Sequence, residues 1–282
     1  MYDRLWAASF AIFSVALVLG AAHAIILSAY RSTGLPGAPA WLRWLRRVAN
    51  AVIVLGFLAL SATIVARWHE AGYPPFSNMP ESLLWMAWAC CAVYFVSRLF
   101  VDFTGLEAAA CVGVLGILAV SSLFPHAARP LMPALKSNWL IFHVLTCMIA
   151  YGAFLAAFLL AILWLLAWQW RETGKMVDAL AYQTMAFGFL LLTIGIVSGA
   201  IWARQAWGRY WGWDPKETWS LVTWLVYGIY LHFRLMSGSL GISRDRLPLF
   251  NALFGIVGFA VTMFTYIGVN YLTTGLHSYA TR

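Results

Sequence analysis

Charge is scarce in this chain. Lys, Arg, Asp and Glu make up 10% of its 282 residues, and 63% are hydrophobic. A soluble domain carries about 25% charged residues. The scarcity excludes a soluble globular domain of useful size and marks an integral membrane protein. The net charge of +8 is therefore no nucleic-acid signal, because membrane proteins hold excess Lys and Arg beside their cytoplasmic ends. Cysteine is sparse as well. Cys90, Cys91, Cys111 and Cys147 all lie in apolar runs, and none belongs to a C-x-x-C pair. That argues against a disulfide framework or a zinc site and for buried small hydrophobes. The first apolar run lacks a positively charged start and a clear cleavage site and is too long for a signal-peptide core, so it reads as a helix. No internal repeat or low-complexity segment stands out.

A helix needs about 20 predominantly apolar residues to cross a bilayer. Eight runs are expected to do so, near 5–30, 48–66, 82–99, 104–123, 139–168, 180–202, 215–236 and 249–271. The expected fold is an all-α integral membrane protein, a bundle of about eight transmembrane helices forming one polytopic domain over 1–282. Arg31, Arg43, Arg46 and Arg47 surround a Gly/Pro turn and mark a first inner loop. Arg171, Lys175, Arg234, Arg244 and Arg246 mark later inner ends, which puts both termini on the outer side. Between helices 2 and 3, Gly72, Pro74 and Pro75 stop one helix, and Glu81 sits where the next begins.

Tryptophan, by contrast, is abundant. Four stand within residues 207–219, in Trp207-Gly208-Arg209-Tyr210-Trp211-Gly212-Trp213-Asp214-Pro215-Lys216-Glu217-Thr218-Trp219. An interfacial aromatic belt would account for part of this. A capped helix, with Asp214 as N-cap, Pro215 first and Glu217 as capping-box partner, would account for more. Neither asks for the compact order W-G-x-x-W-x-W-D. Flat aromatic faces on a glycine-flexible backbone make a surface for a large planar apolar ligand. Indole N–H groups and Arg209 or Lys216 would meet polar groups at its rim. Residues 203–217 are expected to form this outer loop, with Trp207, Gly208, Trp211, Gly212, Trp213, Asp214 and Trp219 as its binding set.

Six histidines are candidates for metal ligation. His143 lies one turn into helix 5 and His277 just beyond helix 8, both at the level of the tryptophan loop. His232 lies seventeen residues after Pro215, about 26 Å down helix 7. His23 reaches a similar depth in helix 1. Interhelical hydrogen bonding is the ordinary alternative for both. His69 and His126 fall in outer loops and receive no role.

These stretches together resemble the CcsA (ResC) subunit family of the System II cytochrome c synthetase, within the wider group of haem-handling proteins that carry the tryptophan-rich WWD signature. The resemblance rests on Pro74-Pro75-Phe76-Ser77-Asn78-Met79-Pro80-Glu81-Ser82, Trp139-Leu140-Ile141-Phe142-His143, the tryptophan stretch, Tyr230-Leu231-His232-Phe233 and Gly275-Leu276-His277-Ser278-Tyr279. It implies that haem b is moved to an outer site and joined to the C-x-x-C-H thiols of an apocytochrome c, with a CcsB (ResB)-like partner and no nucleic acid. It implies His143 and His277 as outer axial ligands of the haem iron and His232 as an intramembrane one. The second intramembrane ligand falls either to the partner or to His23. A multi-pass plasma-membrane protein is expected, with the thylakoid as the other compartment. The competing family readings are a CcmC-type haem chaperone without ligation activity, whose chains resemble a six-helix protein, and a HemX-type regulator. CcmF relatives need a far longer chain.

Overall fold

The computed structural model describes residues 1–33, 37–126, 130–166, 171–239 and 247–273, and the expected helices form in the expected order. They are α1 (Tyr2–Ser32), α2 (Ala40–Ala71), α3 (Met79–Phe100), α4 (Leu106–Ser121), α5 (Asn138–Leu166), α6 (Arg171–Trp207), α7 (Pro215–Met236) and α8 (Leu247–Met263). α8 continues through a π-helical turn (Phe264–Gly268) into a short last helix, α9 (Val269–Leu272). Among the described residues six helices are long and apolar enough to cross a membrane, α8 being counted with its continuation. α4 is shorter, at 16 residues. α7 spans 22 residues but carries Lys216, Glu217, His232 and Arg234.

The helix ends follow from local chemistry. α2 stops at Gly72, whose φ of 74° lets its N–H turn back to the Trp68 carbonyl. α3 starts on Asn78, whose side chain accepts from the Glu81 N–H at 3.0 Å. α7 starts on the Asp214–Glu217 capping box with Pro215 at its head.

Three boundaries differ clearly from expectation. α6 begins at Arg171, nine residues before the expected 180, so Arg171 and Lys175 belong to the helix and not to an inner loop. α2 begins at Ala40, so Arg43, Arg46 and Arg47 ride on its first turns and do not lie in a loop. Ion pairs make this possible, since Arg46 reaches Glu107 on α4 at 2.8 Å and also meets Asp102. The tryptophan loop expected over 203–217 is shorter. The α6 ladder carries on through Trp207, and only 208–214 are irregular before α7. Gly208, with φ 79°, is the residue that lets the chain leave the helix.

α5 is the axis of the bundle. It packs along α6 and also against α3, α8 and α4. α1 lies on α2 and α4, and α7 lies on α8 and α6. Close approach depends on small residues, as is usual where helices pack in lipid. A Cβ on Gly152 would fall 2.9 Å from the Cys90 backbone nitrogen, so α3 and α5 meet nearly backbone to backbone there. All four cysteines are buried in this packing.

Polar ties gather at one end of the bundle. Arg67 and Glu81 form a fully buried pair, Nε to Oε1 at 2.9 Å. The other Glu81 oxygen accepts from the Ser77 N–H and hydroxyl at 2.9 and 2.8 Å. Arg67 Nη1 donates to the His126 carbonyl at 2.8 Å. The start of α1 joins them, with the Tyr2 ring under the Arg67 guanidinium and the Tyr2 N–H on Glu70. The beginning of α1, the end of α2, the beginning of α3 and the segment after α4 are thereby fixed to each other.

Candidate functional site

A cleft opens at this same end, enclosing about 1100 Å³ of atom-free space with its mouth included. Ligand sites run to roughly 300–1,000 Å³ and are mostly apolar with a few placed polar groups. Its wall draws on α5 (His143, Cys147), α6 (Gly199, Trp202), the loop (Tyr210, Trp211), α7 (Lys216, Glu217), the π-helical turn (Tyr266) and the approach to α3 (Asn78, Met79). Stretches 60 to 190 residues apart in sequence meet here.

His143 is held tightly. Its Nδ1 lies 2.7 Å from the Gly195 carbonyl oxygen. A carbonyl only accepts, so Nδ1 carries the proton and the lone pair belongs to Nε2, the tautomer that binds metals through Nε2. The ring lies nearly parallel to Trp202, at 6.1 Å and 15°. Trp202 is 1% exposed and donates its indole N–H to the Ala134 carbonyl at 3.0 Å. Trp207 packs edge-on behind it, centroids 4.8 Å apart. The result is a rigid aromatic wall with one imidazole in it.

The loop is drawn into shape by Glu217. Its Oε2 accepts from the Gly212 N–H at 2.7 Å and from the Asp214 N–H at 3.1 Å. The Asp214 carboxylate accepts from the Lys216 N–H at 3.0 Å. Between these anchors Trp213 adopts φ 55°, the only non-glycine residue described with a positive φ. A bulky side chain in that region is strained, and such strain persists where the surroundings impose it. Trp213 is exposed and sits edge-on to Trp211, at 5.8 Å and 88°.

The expected site residues therefore divide. His143 and Trp211 line the cleft. Trp207 backs Trp202, and Gly208 ends α6. Gly212 gives its N–H to Glu217, and Asp214 caps α7, so both shape the loop. Trp219 packs on Phe264 of the π-helical turn, centroids 4.3 Å apart. His277 lies outside the described residues. His23 is 3% exposed on α1, in the field of Arg46 and Glu107. His232 is exposed on α7, a helix with different neighbours, and the bundle does not bring these two histidines to one pocket. His126, given no role, packs between Tyr2 and Trp6.

Sequence reasoning passed over Trp202, Tyr266 and Asn270. Trp202 stands three residues after Gly195-Ile196-Val197-Ser198-Gly199, a small-xxx-small pattern that seats α5 on α6 beside His143. That pattern was a usable signal. The π-helical turn had none, since Phe264-Thr265-Tyr266-Ile267-Gly268 reads as ordinary helix. The extra residue in such a turn re-aims side chains and is frequent at functional sites. Here it accompanies a Tyr266–Ser82 hydroxyl contact of 2.6 Å and an Asn270–Lys216 contact of 2.9 Å.

Comparison with known proteins agrees with this architecture. The family described as cytochrome C assembly protein matches over residues 76–277, a stretch that takes in the cleft-lining loop before α3, His143, the tryptophan loop and α8. A cytochrome c biogenesis protein CcsA of Parasynechococcus marenigrum (strain WH8102) is 40% identical over 269 residues, 82% of this chain and 86% of the relative. CcsA of Chlamydomonas reinhardtii is 40% identical over 265 residues, covering 88% of this chain and 73% of the relative. Among solved structures, the cytochrome c haem lyase CcmF superposes with a TM-score of 0.65 at 19% identity, over 98% of this chain and 47% of that one. That likeness is one of fold.

Proposed function

The chain belongs to the cytochrome c assembly protein family, and from that premise we propose that it moves haem b to the outer face of the membrane and holds it there for covalent attachment to apocytochrome c. The observation that carries the reading is His143, fixed in its Nε2-ligating tautomer in the wall of an aromatic cleft. A flat apolar macrocycle with a central metal fits these surroundings: indole faces for the ring, an imidazole for the iron and a cation for an acidic edge.

In this reading haem is the substrate and brings its own iron and vinyl chemistry. A C-x-x-C-H thiol adds across a vinyl C=C, so that a C–S and a C–H bond replace the thiol S–H bond and the π bond, the thiol hydrogen goes to the vinyl carbon, and no oxidant is consumed. The chain contributes position, because reactants held in near-attack geometry gain effective molarity. His143 ligates the iron from one face. His277, which lies outside the described residues, would be the second histidine ligand and would give way to the histidine of the incoming C-x-x-C-H. Trp202 and Trp211 limit how the ring lies and keep water from it.

A CcsB (ResB)-like protein is the partner in this reading. His232 faces outward from α7, where a partner's side chain can reach it. His23 is buried on another flank of the bundle, which favours the partner over His23 as the source of the second intramembrane ligand. The membrane is read as a bacterial plasma membrane.

Absorption spectra of the full chain purified with its partner test the proposal. A bis-histidine spectrum is expected in wild type, weakened in His143→Ala and His277→Ala and restored by added imidazole. Failure of the wild-type complex to take up haem supplied in excess would sink it.

A further inference from the structure

Among the described residues, Lys216 is a cation in the cleft wall with no carboxylate in ion-pair contact with its ammonium. Among the described residues its ammonium donates to one acceptor, the Asn270 Oδ1 at 2.9 Å, and that acceptor is neutral. The neighbouring carboxylates accept from the backbone, and Asp214 acts on the ammonium through its field without an ion-pair contact. Glu217 receives the Gly212 and Asp214 N–H groups, and Asp214 receives the Lys216 N–H. Asn270 is itself set, since its Nδ2 donates to the Tyr266 carbonyl at 3.0 Å and so turns Oδ1 toward Lys216.

An ammonium has three donors, and a neutral amide satisfies one of them without cancelling the charge. Taking a charge from water is costly unless an opposite charge accompanies it. The remainder of the wall is mostly aromatic and aliphatic. A ligand that is flat and apolar but carries a carboxylate on one edge supplies what the cleft lacks.

Resting on the haem reading above, we infer that Lys216, positioned by Asn270, receives a propionate carboxylate of haem and thereby fixes the rotation of the macrocycle in its own plane. The propionates sit on two adjacent pyrroles and the vinyls on the opposite two. Holding the acidic edge at Lys216 directs the vinyl half away from α7. Lys216 is a positioning and specificity residue, distinct from the iron ligands.

The test compares ferric haem with its dimethyl ester, in which both carboxylates are capped, by Soret titration of the full chain in detergent. Wild type is expected to bind the free acid about tenfold to a hundredfold more tightly, the range of a charge-assisted hydrogen bond. Lys216→Met is expected to bind both forms alike, at the affinity of the ester, and Lys216→Arg to restore the preference. Equal wild-type affinity for acid and ester overturns the assignment, as does a Lys216→Met protein that keeps the wild-type preference. The wild-type comparison decides even where Lys216→Met does not fold. Uptake of neither form by wild type removes the haem reading itself, a result distinct from uptake of both forms alike.

Discussion

The His143 imidazole is tied to the Gly195 carbonyl, with Nδ1 donating at 2.7 Å, and the residue one turn further along α6 is what gives it room. A Cβ on Gly199 would stand 2.6 Å from His143 Nδ1. Gly195 is equally constrained, because a Cβ there would meet Cys147 Sγ at 2.6 Å. The two glycines let α5 and α6 approach and turn one backbone acceptor toward the ring. The ligand's tautomer and orientation are thus written on a neighbouring helix.

Gly199→Ala is expected to push the imidazole off this carbonyl. Overpacking of this kind costs about 1–3 kcal/mol, so a melting temperature lowered by several degrees should accompany a weakened bis-histidine haem spectrum. Gly116→Ala is the control. Nothing lies within 4 Å of a Cβ there, and Ala is preferred to Gly inside a helix by about 0.5–1 kcal/mol. A normal spectrum in Gly199→Ala would separate the hydrogen bond from haem binding.

Glu217 holds the tryptophan loop through two backbone N–H groups. Glu217→Ala frees both and also breaks the capping box of α7, a loss of about 1 kcal/mol for the cap alone. Trp211 should then lose its fixed place. The expected readout is faster protease cleavage between Trp207 and Pro215 and weaker haem uptake, with Glu217→Gln intermediate because its amide oxygen still accepts. Equal protection in all three proteins would mean that the loop is held by other contacts.

Much of this was legible in the sequence. Eight apolar runs gave the helices in order, and Asp214-Pro215-Lys216-Glu217 gave the start of α7, because capping is local chemistry. Boundaries were less legible where long-range partners decide them. Arg43, Arg46 and Arg47 read as loop by their charge, but Arg46 finds Glu107 sixty-one residues away and the helix extends to include it. The choice among the tryptophans could not be read from the tryptophan motif itself, and only the Gly195–Gly199 spacing pointed to Trp202. Trp202, outside the motif, shares the cleft wall with Trp211, while Trp207 and Trp219, inside the motif, serve as packing. Gly195 and Gly199 let one face of α6 approach His143.

The Arg67–Glu81 pair should behave as a keystone for the cleft's far wall. Both side chains are buried, and Glu81 also binds Ser77, next to Asn78 and Phe76 in that wall. Removing one partner leaves a buried charge and costs about 3–5 kcal/mol. Glu81→Ala and Arg67→Met are each expected to lower the melting temperature sharply in detergent. The double variant should recover part of the loss, because neither charge is then stranded. Losses that simply add in the double variant would show that the two side chains act independently.

Trp213 offers the opposite test, of strain against packing. Its φ of 55° places a bulky residue where glycine is at ease, at a cost of about 1–2 kcal/mol. Its indole is 69% exposed, so burial returns little of that cost. Trp213→Gly is therefore expected to leave the melting temperature unchanged or to raise it slightly. Its effect on haem should be the reverse. The indole edge that braces Trp211 at 5.8 Å is gone, so Trp211 is freer to leave the cleft and haem uptake falls by a few-fold. Trp211→Gly removes the wall itself and should reduce uptake by more. Paired melting curves and haem titrations of the two variants decide the matter. A Trp213→Gly protein several degrees less stable than wild type would mean that the indole's contacts outweigh the strain. The left-handed turn would then be a consequence of packing and not a conformation imposed for the ligand.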